Sequence, residues 1–298
     1  MPVSDASWRA AAARVEARFP GFLAESLLRR TGKAVILAGT YAGTVAVAKV
    51  LTTRERVWRE KFAREAAAYG AFTADAPPVH VPRLLAGDSD SGVMILQRVP
   101  GEPLHVDRYP PALPLPTVQA AVDTLALLAD WRPSMFLQVW DYPERLDRYR
   151  AHGLLDHDDH QALTRLLERA GPDRHVAHGD PLPANILHHT ADDTTGITLV
   201  DWEFAGFYLP HHDQALLWAL LASTPGARRL IERRVARHGP RHVAAFTVSR
   251  ALILARELRM HREALPAAWA RRRLDAVERD WTQLRDQVRG MAFSARQP

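Results

Sequence analysis

The 298-residue sequence contains no cysteine, and only three of its 39 basic residues are lysines. A chain without cysteine has no disulfide and no thiolate metal site, a composition that suits a reducing compartment. No apolar segment approaches the ~20 residues of a membrane-spanning helix, and the N-terminus lacks the apolar core of a secretory signal. We therefore expect a cytoplasmic protein with no membrane partner.

Other absences narrow the function. The sequence has no Walker-type Gly-x-x-x-x-Gly-Lys loop and no nucleic-acid-binding motif. Its net charge is +5, but the arginines alternate with acidic and apolar residues, so we expect no nucleic-acid partner. The length suffices for two lobes, each with its own core. The sequence predicts neither internal repeats nor a long linker.

One stretch carries the residue types that phosphoryl transfer needs, in the order His178-Gly179-Asp180, Asn185 and Asp201-Trp202-Glu203. Asp180 could accept a proton from a substrate hydroxyl, while Asn185 and Asp201 offer hard oxygen ligands for Mg²⁺ on ATP. We expect strands at residues 174–177, 186–187 and 197–200, with a hairpin turn at 191–196. The alternative is that Asp180 and Asn185 are ordinary turn formers. His178 is expected to be a buried histidine bonded to backbone.

This motif resembles that of the aminoglycoside phosphotransferase family, over residues from about 30 to the C-terminal helices and most strongly at 174–217. The resemblance implies an α+β, bilobal protein-kinase-like fold with a small β-rich N-lobe and a larger, mainly helical C-lobe. It makes Asp180 the catalytic base and Asn185 and Asp201 the Mg²⁺ ligands. Asp213, with His178, would support the catalytic loop through backbone bonds, although many members read Gly-Asp-Pro-x-x-Asp where this chain has residues 208–213.

The N-terminal third is expected to bind the nucleotide. Strands at 34–38 and 44–51 enclose residues 39–43, a flexible tip in which Thr40 and Tyr41 would lie over the phosphates. Lys49 lies within an apolar strand of a chain that otherwise uses arginine, and a compact ammonium suits a phosphate. The alternative is a lysine on the solvent face of an amphipathic strand. A helix at 54–72 carries Glu65 and Glu60, either of which could be the carboxylate partner of Lys49, and the resemblance favours Glu65.

The apolar run at residues 92–99 ends at Pro100-Gly101 and resembles the hinge between the lobes. There the C=O of Gln97 and the N–H of Val99 would pair with the adenine edge of ATP. Recognition by backbone groups does not distinguish ATP from GTP. The expected lobes are therefore residues 1–99 and 100–298. In the C-lobe, helices are expected at 117–131, 161–170, 214–222 and 241–264, with a helix cap at 156–159.

The sequence says least about the acceptor. From Gly226 onward the chain has seventeen arginines against seven aspartates and glutamates, which argues against a polycationic acceptor unless the arginines form a solvated face. Glu203 is a candidate substrate-binding residue. The paired histidines at 188–189 and 211–212 are expected not to bind a metal, because adjacent side chains on a strand point to opposite faces.

The sequence thus predicts an ATP- and Mg²⁺-dependent kinase, a monomer or homodimer, that phosphorylates a hydroxyl of an antibiotic or related metabolite. Alternatives are a choline- or homoserine-type metabolite kinase, a protein kinase, and a non-catalytic nucleotide-binding protein. Gly179 in place of an arginine, and the short segment after Asp201, argue against a protein kinase. The complete set of chemical groups argues against a non-catalytic protein.

Overall fold

The structure is a computed structural model that describes residues 5–134, 137–191, 194–264 and 268–293. In chain order its elements are α1 (Asp5–Arg18), β1 (Phe22–Arg30), β2 (Ala34–Tyr41), β3 (Thr44–Leu51), α2 (Arg56–Phe72), β4 (Leu84–Asp88), β5 (Val93–Gln97), β6 (Glu102–Pro103), α3 (Leu115–Asp130), β7 (Gln138–Val139), α4 (Tyr142–Ala151), α5 (His157–Ala170), β8 (His175–Ala177), β9 (Ile186–Ala191), β10 (Thr194–Leu199), β11 (Gly206–Tyr208), α6 (His212–Leu220), α7 (Pro225–Arg237), α8 (Pro240–Glu263) and α9 (Ala268–Phe293). The predicted α+β class is confirmed.

The chain forms two compact units. The first comprises the described residues of 1–102, 133–136 and 185–205, and the second those of 103–132, 137–184 and 206–298. The first boundary lies at residue 102, compared with the predicted 99. Residues 185–205 also belong to the first unit, where the N–H of Leu199 in β10 donates a hydrogen bond to the carbonyl of His80 at 3.0 Å.

A five-stranded antiparallel sheet in the order β1-β2-β3-β5-β4 organises the first unit. Alternation along β3 buries Ala46, Ala48 and Val50, as expected for a strand with one face in a core. α1 covers this face, where Val15 is fully buried against the cluster that includes Phe22 and Leu37. β9 and β10 form a separate antiparallel hairpin, and the turn residues 192–193 lie outside the described residues.

The predicted flexible tip at residues 39–43 is wrong, because β2 continues through Thr40 and Tyr41. The turn consists of Ala42 and Gly43 alone, with φ values of 48° and 79°. Two consecutive positive φ angles are typical of a tight two-residue hairpin turn. Gly39 is required by packing: an added Cβ would lie 2.2 Å from the carbonyl oxygen of Leu23 in the neighbouring strand.

The second unit is mainly helical, with a small sheet in the order β7-β11-β8. Its central helix, α8, packs against α5, α6 and α9 and is buried almost continuously from Ala244 to Ala255. The predicted cap at 156–159 is confirmed, since Asp156 and Asp159 form a reciprocal capping box at the start of α5. Among the helices that the structure describes, none has the length and apolar character that a membrane crossing requires.

Candidate active site

The side chain of Lys49 bonds to two carboxylates in the first unit. Lys49 lies on β3 between Ile36 of β2 and Met94 of β5, so its position is fixed by two strand pairings. Its Nζ is 2.5 Å from Glu65 Oε2 on α2 and 2.5 Å from Asp201 Oδ1, two residues after β10. The structure thus joins Lys49 to Glu65, the glutamate that the family resemblance favoured over Glu60.

Burial and charge oppose each other in this group. Burial disfavours the Lys49 ammonium, but Glu65 and Asp201 outweigh that effect and raise the pKa of Lys49. Burial also raises the pKa of the Glu65 carboxyl to about 7, against the pull of the Lys49 ammonium. The Glu65 side chain is 1% exposed and that of Asp201 is 33% exposed. Lys49 therefore stays charged at neutral pH, and its ammonium limits the rise that burial causes in the pKa of Glu65.

The backbone at Asp201 is unusual. Its φ is +70°, a left-handed conformation that non-glycine residues adopt rarely and that often marks a functional position. Its N–H donates to the hydroxyl of Tyr69 at 3.3 Å. The next residue, Trp202, is buried, packs edge-on against Phe72 with ring centroids 4.9 Å apart, and donates from Nε1 to the Leu199 carbonyl. These contacts fix the direction in which the Asp201 side chain leaves the hairpin.

All three lysines of the chain belong to this region, which sequence analysis did not foresee. Lys33 Nζ lies 2.9 Å and Lys61 Nζ 3.9 Å from Glu203 Oε1, and both ammonium groups lie over the ring of Trp58, at 3.9 and 4.3 Å from its centroid. Glu203, a predicted substrate-binding residue, is buried against these lysines. We call Lys33, Lys49, Lys61, Glu65, Asp201 and Glu203 the lysine–carboxylate cluster. The only advance signal was the rarity of lysine.

Asn185 lies near Asp201 along the same hairpin. It is 5% exposed and ends a short 3₁₀ turn, and its carbonyl accepts a hydrogen bond from the N–H of Val200 at 3.0 Å. The backbone bond thus joins Asn185 to the residue that precedes Asp201. An amide oxygen and a carboxylate are donors that fit a hard cation such as Mg²⁺, so the residues present fit the predicted metal.

The other predicted nucleotide-binding residues lie elsewhere on the first sheet. Thr40 and Tyr41 pair with Val45 and Thr44 in regular ladder positions, and the Tyr41 ring packs edge-on against Phe19. Gln97 ends β5, and its N–H donates to the Arg83 carbonyl at 2.8 Å. Val99 follows within the predicted hinge. Their roles in nucleotide binding stay predictions.

In the second unit, Asp213 holds the turn that presents Asp180. Asp213 is 3% exposed, and its carboxylate accepts hydrogen bonds from the N–H groups of His178 at 2.8 Å and Gly179 at 2.9 Å. Gly179 has φ +81°, which explains a glycine there. The His178 ring is fully buried, and its Nδ1 accepts from the N–H of Asp180 at 3.4 Å. The turn before Asp180 is therefore rigid, while Asp180 itself is only partly buried.

A cavity of about 1060 Å³ in the second unit has four arginines, two aspartates and four uncharged residues in its lining. Glu257, fully buried, accepts from Arg108 Nη2 at 2.7 Å and from the Tyr109 hydroxyl. Burial would raise the pKa of Glu257, but Arg108 and Arg256 lower it to about 2. Arg273 lies over the Tyr109 ring at 4.2 Å, and its Nε is buried without a hydrogen-bond partner.

Comparison with known proteins identifies the family. The model of the phosphotransferase enzyme family matches residues 35–252, well over half of the chain. The chain belongs to the phosphotransferase enzyme family. No curated protein matches it. The predicted enzyme class, a phosphotransferase with an alcohol group as acceptor, is confirmed.

Solved structures share the fold of this phosphotransferase. Aminoglycoside phosphotransferase APH(4)-Ia superimposes with a TM-score of 0.60 at 18% identity, covering 92% of this chain and 99% of its own. A thermostable mutant of that protein, in ternary complex with ADP and hygromycin B, gives 0.58 at 19% identity, covering 91% and 98%. The GDP complex of wild-type aminoglycoside 2'-phosphotransferase-IIIa gives 0.64 at 15% identity, covering 93% and 99%. The predicted kinase-like fold is confirmed.

Proposed function

We propose that this phosphotransferase moves the γ-phosphoryl group of ATP to a hydroxyl of a small-molecule acceptor. The observation that carries the proposal is the Lys49 ammonium, held 2.5 Å from both Glu65 and Asp201. Three charged groups in fixed positions satisfy the main requirement of phosphoryl transfer, which is positioning and neutralisation of charge. Lys49 would bind the inner phosphates, and Glu65 would keep its ammonium in place.

In this proposal Asn185 and Asp201 hold Mg²⁺, which when bound neutralises charge on the phosphates. The exposure of Asp201 supports the assignment, because a third of its side chain is accessible to a ligand while its Oδ1 bonds Lys49. The proposal covers both ATP and GTP as the phosphate donor, because solved structures of similar fold are complexes with ADP, with GDP and with AMP-PNP.

Asp180 is the proposed base, which orients the acceptor hydroxyl and takes its proton. Support comes from the rigid turn before it, where Asp213 holds two consecutive N–H groups. A positioned base contributes about 10²–10⁴-fold to rate. Asp180→Asn should therefore lower kcat at least about 10²-fold with little change in nucleotide affinity. Asp158→Asn, at an exposed position in α5, is the matched control. A turnover near that of the control would remove Asp180 as the base.

The acceptor is proposed to be a neutral or anionic hydroxyl compound, either an antibiotic or a metabolite. The argument is the excess of arginine over aspartate around the large cavity, together with the buried Nε of Arg273 that lacks a partner. The proteins of similar fold crystallised with hygromycin B and with kanamycin bind aminoglycosides. A resistance role for this chain depends on whether its own acceptor is an antibiotic.

A coupled assay of nucleotide consumption tests the acceptor. Purified protein with ATP or GTP is screened against neutral nucleoside and sugar-containing antibiotics, anionic sugar acids, amino alcohols and aminoglycosides. We expect turnover with a neutral or anionic class, and loss of acceptor affinity in Arg273→Gln. Turnover with aminoglycosides alone would contradict the proposed acceptor charge but leave the phosphotransfer proposal intact. Phosphorylation only of added protein would favour the protein-kinase alternative.

A further inference from the structure

Three histidines of the second unit take no part in the proposed reaction and lie together where three helices meet. His211 precedes α6, His238 follows α7, and His242 lies in the first turn of α8. One ring nitrogen from each lies within 4.8 Å of the others. The closest pair, His211 Nε2 and His242 Nδ1, is 2.9 Å apart. The three ring centroids are separated by 5.0 to 5.1 Å.

The backbone holds these rings in place. His211 has φ +66°, a left-handed conformation that histidine tolerates better than most non-glycine residues. His238 and His242 are joined by a tight link that includes Gly239, with φ +91°, and Pro240 at the start of α8. The left-handed backbone of His211 and the short link through Gly239 and Pro240 both restrict the positions of the imidazole rings. The convergence is therefore built into the turns between helices.

The chemistry of the group selects a class of ligand. It contains three imidazoles and no carboxylate, which suits a transition metal better than Mg²⁺ or Ca²⁺. A neutral imidazole ring keeps one nitrogen lone pair for coordination.

We propose that His211, His238 and His242 bind one divalent transition-metal ion of the Zn²⁺, Co²⁺ or Ni²⁺ class. Nitrogen ligands at ~2.0–2.1 Å from a tetrahedral ion are about 3.3 Å apart, close to the spacing already present between His211 and His242. His238 is exposed and provides a path for entry. A bound ion would join the start of α6 to α7 and α8, leaving one coordination position for water.

The test measures metal binding directly, using the tag-free full chain. Co²⁺ is titrated by visible absorbance and Zn²⁺ by calorimetry, with Mg²⁺ in excess to occupy hard-cation sites. We expect one ion per chain, the intense absorbance of tetrahedral Co²⁺, and a rise in Tm with Zn²⁺. His238→Ala and His242→Ala should each weaken binding by at least about tenfold, and by more together. His152→Ala, an isolated exposed histidine, is the matched control and should bind like the unchanged protein.

Two results would overturn the proposal. One is Co²⁺ or Zn²⁺ binding of equal affinity in the unchanged protein and the His238→Ala/His242→Ala variant. The other is no binding by the unchanged protein at metal concentrations well above micromolar. His238 is exposed, so its single variant should fold, which circular dichroism checks. Loss of affinity in that variant then reflects the lost ligand.

Discussion

Removing the Lys49 ammonium should raise the folded pKa of Glu65 further and extend the pH dependence of stability to higher pH. In Lys49→Met the buried carboxyl loses the charge that offsets its burial, so its folded pKa should exceed the value of about 7 that it has beside Lys49. The unfolded chain titrates this group near its ordinary ~4.3. A raised folded pKa stabilises the protein fully below the unfolded pKa, and this stabilisation is lost as pH rises through the folded pKa.

The size of the effect follows from linkage. Each pH unit between the two pKa values changes the free energy of unfolding by about 1.4 kcal/mol. From pH 7 to pH 9, Lys49→Met should therefore lose up to about 3 kcal/mol relative to Lys49→Met/Glu65→Gln, in which the group cannot titrate. The unchanged protein, whose Glu65 pKa is about 7, should lose less than about 1 kcal/mol relative to Glu65→Gln over the same range. Equilibrium urea unfolding of the four proteins at pH 5, 7 and 9 measures both differences, and equal losses in the two comparisons would refute the claim that Lys49 lowers the pKa of Glu65.

Three further predictions concern the second unit. Asp213→Asn places an amide where two N–H groups donate, so kcat should fall at least about tenfold while the nucleotide KM is unchanged; steady-state kinetics will check this. The pKa of Glu257 is depressed to about 2, so its stabilisation is present above the ordinary value and is lost as pH falls through 2. The stability advantage over Glu257→Gln should therefore shrink by about 2 kcal/mol between pH 5 and pH 3 in urea unfolding. Asp159 is buried beside Arg285 and Arg289, so Asp159→Asn should lower the free energy of unfolding by about 1–3 kcal/mol without altering kcat, and equal stability would count against this ion-pair network.

The sequence predicted the parts of the site that depend on short spacing. The segment from Asp180 to Asn185 and the strand carrying Lys49 are local patterns, because turn residues and period-two burial act over a few residues. Helical spacing along α2 left Glu65 and Glu60 as candidates, and the family resemblance favoured Glu65. The cap at Asp156 is also a local signal. The predicted helix at 161–170 nevertheless begins four residues after the observed start of α5 at His157.

Features that depend on distant chain segments were not predictable. In the sequence, Gly39 suggested a flexible turn. In the structure it is required because the carbonyl of Leu23 in the adjacent strand leaves no room for a Cβ. Lys33 and Glu203 are 170 residues apart and meet only once the fold exists. The histidines at 211 and 238 likewise converge only through the packing of the helices that they flank.

The placement of every lysine in one cluster has a consequence for labelling. Reagents that modify primary amines can reach only these three side chains and the amino terminus, so ¹³C reductive methylation would give a spectrum in which each lysine signal reports on the region around Asp201. Amine coupling to sensor chips or resins would therefore attach the protein either through its amino terminus or through the lysine–carboxylate cluster. Attachment through a single introduced cysteine avoids this in a chain that has none.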